Sequence, residues 1–202
     1  MSSIVGSENS ESLLETMGLD GGLEIVAQQD RENTIEVKGD AKVSIVGGSL
    51  MDTITTGAGN AIVFTGDGND MITGGNGNDV LRGGEGDDII RAGLGNDTVI
   101  GGEGNDVLRG GMGADVLKGG VGDDIFEFSA SEFEDGVMDR IVDFQDDDFA
   151  DSIKIFGVGA EGSVSYDSAT GMVSVNGNEG IDIGAGKDLN IEVNDRGTWE
   201  LF

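Results

Sequence analysis

The chain has 202 residues, with 40 Asp or Glu against 11 Lys or Arg and a formal net charge of −29 at pH 7. Such an acidic surface excludes a general nucleic-acid role, because that binding rests on cations neutralising phosphates. Neither His nor Cys occurs, which removes HExxH zinc proteolysis, thiol nucleophiles and His-based triads.

The first thirty residues have no basic n-region and no apolar h-region, so no Sec-type signal peptide is expected. No apolar run reaches the length of about 18 residues that a membrane-spanning helix needs. Leu13, Leu14 and Met17 lie at helical spacing and predict a helical turn or two over Ser10–Gly18. Leu23–Val26 and Thr34–Val37 read as strands, and Val43–Val46 begins the regular part of the chain. Residues 1–46 are expected to form an N-terminal cap, since an uncapped solenoid exposes a sheet edge.

From Gly47 to Glu127 the chain reads in nines without insertion. GGSLMDTIT and TGAGNAIVF lead into TGDGNDMIT, GGNGNDVLR, GGEGDDIIR, AGLGNDTVI, GGEGNDVLR, GGMGADVLK and GGVGDDIFE. Each unit is Gly-Gly-x-Gly-x-Asp followed by x-U-x, where U is a large apolar residue. The glycines permit a sharp turn with close backbone approach. The three-residue tail is too short for a helix and rich in β-branched residues, so it predicts a short strand. Turns and strands repeated in one sense give a coil of two facing parallel sheets. Position eight then points inward, at Ile54, Val63, Ile72, Leu81, Ile90, Val99, Leu108, Leu117 and Phe126.

That core is thin for so glycine-rich a stretch, and position six supplies a second stabilising element. Asp52, Asp70, Asp79, Asp88, Asp97, Asp106, Asp115 and Asp124 occupy it, with Ala61 the one gap. Turns of units n and n+2 stack on one edge, where their carboxylates would repel without a cation between them. A hard divalent ion taking carboxylate and carbonyl oxygens in irregular geometry is calcium.

Seven near-complete copies of this nonapeptide resemble the RTX (repeats-in-toxin) calcium-binding β-roll. The resemblance implies an all-β, right-handed parallel roll over residues 47–127, between β-rich caps at 1–46 and 128–202. It implies metal ligands at Asp70, Asp79, Asp88, Asp97, Asp106, Asp115 and Asp124. It adds the turn glycines Gly66, Gly68, Gly75, Gly77, Gly84, Gly86, Gly93, Gly95, Gly102, Gly104, Gly111, Gly113, Gly120 and Gly122. The stacked pairs would be Asp70 with Asp88, Asp79 with Asp97, Asp88 with Asp106, Asp97 with Asp115, and Asp106 with Asp124. That makes about five calcium ions or more, at six to eight oxygens each. Ala61 breaks the pattern in its unit, as Leu50 and Met51 do around Asp52.

Beyond the repeats, Asp139–Phe144 and Asp151–Ile155 resemble the family's Asp-x-Ile-x-Asp-Phe element and the strand after it. Asp139 and Asp151 either close a last calcium site or belong to a solvated acidic loop. Phe126, Phe128, Phe133, Phe144, Phe149 and Phe156 are expected to plug the C-terminal cap. Ser163–Tyr166 and Met172–Val175 read as a hairpin, Ile181–Ile183 and Asn190–Val193 as further strands. The acid and apolar residues at Glu200, Leu201 and Phe202 are similar to a type I secretion signal, or are an ordinary last strand.

Position seven should face outward, yet reads Ile62, Met71, Val80, Ile89, Val107, Val116 and Ile125, with Thr53 and Thr98, while position nine gathers Arg82, Arg91, Arg109 and Lys118. Strand propensity and charge balance account for this, or else the face receives a cap, a surface or another copy. The expected function is a secreted calcium-binding protein, without catalysis, that leaves through a type I secretion apparatus and folds outside the cell. The alternatives are a module of a secreted protease or polysaccharide epimerase, and an adhesin that binds cell-surface polysaccharide.

Overall fold

The computed structural model describes residues 2–5, 12–15, 22–134, 136–144, 150–159, 162–187, 191–193 and 198–202. Its strands, numbered along the chain, fall into two sheets. The first runs in spatial order β1 (Ser2–Val5), β3 (Leu23–Val26), β5 (Val43–Val46), β7 (Ala61–Asp67), β9 (Val80–Glu85), β11 (Thr98–Glu103), β13 (Val116–Val121) and β15 (Asp139–Ile141). It ends in β19 (Asn178–Asp182), β18 (Met172–Val175) and β17 (Val164–Asp167). The second runs β2 (Ser12–Glu15), β4 (Asn33–Lys38), β6 (Asp52–Thr55), β8 (Met71–Asn76), β10 (Ile89–Leu94), β12 (Val107–Met112), β14 (Ile125–Ser129) and β16 (Ser152–Phe156). It ends in β21 (Trp199–Leu201) and β20 (Ile191–Val193).

Successive strands alternate between the sheets, so the all-β solenoid expected from the repeats is the architecture found. Pairing is parallel and shifted by two nonapeptides: Ile90 lies beside Ile72 on one side and Leu108 on the other. This register stacks like on like. All nine position-eight side chains, Ile54 through Phe126, are fully buried between the sheets.

The roll strands are longer than the three-residue tails predict. β10 reads IIRAGL, which is the tail of one unit and the first three residues of the next. The ladder pairs Arg91 with Arg109, skips one position and resumes at Gly93 with Gly111. Gly93 makes this bend possible: its φ is +120°, and a Cβ there would stand 2.2 Å from the Gly75 carbonyl oxygen. Only glycine combines that dihedral with that approach.

Within the stretch Ser10–Gly18, expected to hold a helical turn, Ser12–Glu15 form strand β2, paired in parallel with β4, and the rest lies outside the described residues. Three apolar residues do not offset helix nucleation, whereas a neighbouring strand edge offers hydrogen bonds directly. Both sheets run through the boundary expected at residue 46, where Val43 of β5 pairs with Ala61 of β7. Leu23, Ile25, Ile35, Val37 and Ile45 extend the core there with the same alternation.

At the other end β15 and β16 still pair in parallel with the last roll strands, and the antiparallel β17–β18–β19 and β20–β21 follow. Trp199–Leu201 form β21, antiparallel to β16, with Leu201 buried. Phe126 packs on Phe144 with ring centroids 6.1 Å apart, and Phe128 on Phe133 at 6.5 Å. A 3-10 turn, Ala130–Phe133, brings Phe133 into this plug. Phe156, expected in it, is 38 % exposed, because β16 alternates and spends its inward positions on Ile153 and Ile155. Phe149 lies outside the described residues. No helix among the described residues is long and apolar enough to cross a membrane.

Candidate metal centre

Position six ends each turn just before a strand, and its side chain folds back under the turn. The Asp carboxylates of the repeats are buried, at 0–2 % exposure. One oxygen of each is held by the coil before it. The Asp70 N–H donates to Asp88 Oδ1 at 2.7 Å, Asp79 to Asp97 at 2.8 Å, and Asp88 to Asp106 at 2.8 Å. The Asp97 N–H donates to Asp115 at 2.8 Å, and Asp106 to Asp124 at 2.9 Å. The n/n+2 stacking expected from the sequence is therefore the stacking observed, with a ladder on each edge of the roll.

The second oxygen is different. Oδ2 of Asp70, Asp79, Asp88, Asp97, Asp106 and Asp124 is buried without a hydrogen-bond partner. At Asp79, Asp88, Asp106 and Asp124 it sits against a glycine at position one of its own turn, where Asp70 and Asp97 have Thr65 and Ala92. A Cβ at Gly83 would stand 1.8 Å from Asp88 Oδ2, and one at Gly101 or Gly119 would stand 2.0 Å from Asp106 or Asp124 Oδ2. The repeated first glycine is thus a space for a carboxylate oxygen, a role that reading it as a turn former alone does not reveal.

Burial raises the carboxyl pKa along this column, offset in part by the N–H each accepts. Asp70 and Asp97 are raised, Asp79 and Asp106 are pushed to about 6, and Asp88 and Asp124 to about 7. Neighbouring acids add to it: Asp106 and Asp70 at Asp88, and Asp106, Asp151 and Asp143 at Asp124. A buried anionic oxygen without a donor is unfavourable, so each needs a proton or a cation. The donor set is oxygen only, which suits a hard cation such as calcium. Among the described residues no three acids converge into a metal-holding group. A cation here would draw on carboxylates of stacked turns and on main-chain carbonyls. The predicted turn glycines, Gly66 through Gly122, all have φ between 109° and 146°.

Asp52 is closed by amides. Its Oδ1 accepts from the Asn33 N–H at 2.9 Å and the Asn33 Nδ2 at 2.7 Å, and its Oδ2 from the Gly48 N–H at 2.7 Å. Gln29 Nε2 donates to the Gly47 carbonyl beside it at 2.7 Å. At the gap, the Ala61 N–H donates to Asp79 Oδ1 at 2.7 Å, so the ladder of that edge starts there, while on the other edge the Asp52 N–H donates to Asp70 Oδ1 at 2.7 Å. Asp139 and Asp151 take position-six places: Oδ1 of each accepts from the Asp115 and Asp124 N–H groups, at 2.8 and 3.1 Å.

Sequence reading missed position five. Its side chains form a second ladder of opposite sense, with Asn69 accepting from the Asp87 N–H at 3.0 Å and Asp87 from the Asn105 N–H at 2.8 Å. Asn60, Asn78, Asn96 and Asn105 do the same. The signal was the recurrence of Asn or Asp at that position.

Outside the roll core, Ile62, Met71 and Val116 are exposed, and Val80, Ile89, Val107 and Ile125 half-buried. On the first sheet an open groove of about 510 Å³ is lined by Phe64, Arg82, Ile100, Lys118 and Val121, with Asp67, Glu85 and Glu103 beside them.

Compared with known families, residues 46–81, 64–99 and 92–126 match the RTX calcium-binding nonapeptide repeat (4 copies). Nothing among the curated proteins or the solved structures matches the chain.

Proposed function

We propose that this chain, whose residues 46–126 carry RTX calcium-binding nonapeptide repeats, is a secreted protein that folds when calcium fills its turns. The observation that carries the reading is the column of buried Oδ2 atoms without donors at Asp70, Asp79, Asp88, Asp97, Asp106 and Asp124. Calcium supplies the positive charge that these oxygens lack. The pairs Asp70/Asp88, Asp79/Asp97, Asp88/Asp106, Asp97/Asp115 and Asp106/Asp124 would hold about five ions, with turn carbonyls completing roughly six to eight oxygens each.

The chain's own residues do the rest. The Oδ1 ladder orients each carboxylate, a glycine at position one, where the unit has it, leaves room for Oδ2, and position eight excludes water from the core. Where calcium is scarce the carboxylates repel, and the net charge of −29 favours an open chain that a type I exporter can thread. Outside, binding energy and folding energy become one quantity. Catalysis has no place in this reading, which gives Oδ1 of the repeating acids to the ladder and Oδ2 to the ion.

Far-UV circular dichroism of the full chain tests it. Coil in chelator should convert to β on adding calcium, and magnesium, which demands tighter octahedral geometry, should not substitute. A β spectrum that persists in chelator contradicts the reading. Export is tested by truncation from Gly184: the shortened chain should stay inside a type I-competent cell, and its appearance in the medium would refute the C-terminal signal.

A second reading, surface binding, is favoured by the groove along Phe64, Arg82, Ile100 and Lys118, which continues the exposed Val26 and Val46 in register. Binding to cell-surface polysaccharide only in calcium would support it.

A further inference from the structure

Two Asn-Gly dipeptides occur in the chain, Asn76–Gly77 in the roll and Asn176–Gly177 beyond it. Such a pair reacts with itself. The glycine nitrogen, unhindered by a side chain, attacks the side-chain carbonyl carbon of the asparagine. A bond forms between the Gly nitrogen and Asn Cγ, the Cγ–Nδ2 bond breaks, and ammonia leaves with the proton that the glycine amide gives up. Water then opens the cyclic imide to aspartate or to isoaspartate, and no oxidant or reductant takes part. The attack needs a nitrogen released from its acceptor and a main chain able to turn toward the side chain.

The structure treats the two dipeptides oppositely. Asn76 ends β8, at position three of its unit, and lies beside Leu94 of β10. The Gly77 N–H donates to the Leu94 carbonyl at 2.9 Å, and the Asn76 N–H to the Gly57 carbonyl at 3.0 Å. The attacking nitrogen is tied to the coil after it, and the residue before it to the coil preceding. A Cβ on Gly77 would stand 3.0 Å from the Asn60 nitrogen, so the main chain has little room to turn. The Asn76 side chain itself is exposed, so its protection lies in the stacked backbone alone.

Asn176–Gly177 is the tip of the β18–β19 hairpin, where Val175 pairs with Asn178. Both tip residues are exposed, Asn176 has φ +53°, and nothing lies within 4 Å of the place a Gly177 Cβ would take. Asn176 Oδ1 accepts the Ser163 N–H at 3.0 Å, which polarises the carbonyl that the glycine nitrogen would attack.

We propose that Asn76–Gly77 is a self-modification site that stacking of the coils closes: it deamidates while the roll is open, so calcium sets the chemical lifetime of the chain. This rests on the calcium reading of the roll. Isoaspartate at 76 inserts a methylene into the main chain between the amide bonded to Gly57 and the amide bonded to Leu94. A chain so modified cannot regain the register of β8 with β10, and a chain kept without calcium is withdrawn from folding as it ages.

The experiment ages the full chain in one neutral buffer, with calcium or with chelator. Peptide mass mapping that separates aspartate from isoaspartate follows both dipeptides, and circular dichroism follows the β signal. Asn76 should convert roughly tenfold faster or more in chelator, because the reaction tracks the population of the open form. Asn176 should convert at similar rates in both. After ageing in chelator, added calcium should restore less β signal than in fresh protein. Asn76→Gln should restore it in full, since the longer side chain closes the ring far more slowly. The fold bears that change, because position three is Asp67, Glu85, Leu94, Glu103, Met112 or Val121 in other units. Equal conversion of Asn76 in calcium and in chelator, while the β signal responds to calcium, overturns the proposal. So does an Asn76 that stays intact in chelator while Asn176 converts, or complete refolding of converted chains. If calcium leaves the β signal unchanged, the calcium reading of the roll fails and this proposal with it, an outcome distinct from the others.

Discussion

The carboxylates of this protein look alike in sequence and differ in their second oxygen. Asp97 has a buried Oδ2 without a donor, while both oxygens of Asp52 are taken by amides of Asn33 and Gly48. Asp97→Ala should therefore lower the calcium count and the cooperativity of binding. Asp52→Ala should leave the count unchanged and cost about 1–3 kcal/mol through amides left without an acceptor. Calorimetric titration of both variants decides this; equal losses of calcium would contradict the assignment. The pH response follows from the same atoms. In the metal-free coil Asp88 and Asp124 titrate near 7, against 3.8 for the ordinary side chain. A folded-state pKa above the unfolded one means that the coil holds protons the unfolded chain releases. That contribution is fully present below about pH 4 and is lost as pH rises through 7. In chelator, β signal should be greater at pH 5 than at pH 8, whereas the calcium needed for folding should rise as pH falls from 8 to 6, because protons compete. A chelator signal that grows with pH would count against it.

Strands and turns were legible to the extent that they repeat. Position eight and position six could be read because a period of nine, doubled by the coil, places each in one column. Strand length could not, since the ladder crosses the unit boundary through a glycine bend that the x-U-x tail does not announce. The N-terminal strands β3, β4 and β5 show apolar alternation but no nonapeptide, so their membership of the same two sheets was hidden. Phe156 was misassigned because aromatic density says nothing of which face a strand presents. Position five was overlooked because Asn in a glycine turn reads as turn chemistry, while its ladder needs the stacked coil to be seen. The core column gives a prediction of its own. Leu108→Ala should destabilise the calcium-loaded protein by about 2–5 kcal/mol, and Val107→Thr, on the outer face, by about 0.5 kcal/mol or less. Denaturant melts at saturating calcium test this; similar costs would mean that the two faces are not distinguished.

At the scale of the molecule, the column of unpartnered oxygens is bounded at its two ends by different chemistry. Toward the N-terminus the column of unpartnered oxygens stops where the amides of Asn33 and Gln29 donate to the Asp52 carboxylate and the Gly47 carbonyl. Toward the C-terminus, parallel strands give way to antiparallel ones over a plug of four buried phenylalanines, Phe126, Phe128, Phe133 and Phe144. Between these ends, the proposed function makes stability depend on charge that the chain does not contain. Amide hydrogen exchange of the full chain with and without calcium tests that dependence most directly, because the ladder donors can be followed one by one. Protection at the Asp70, Asp88, Asp97 and Asp106 amides, and at the Val107 and Val116 amides that follow them in the coil, should be strong in calcium and absent in chelator. Persistent protection of those amides in chelator at neutral pH would contradict the account, because the roll would then fold without the ion.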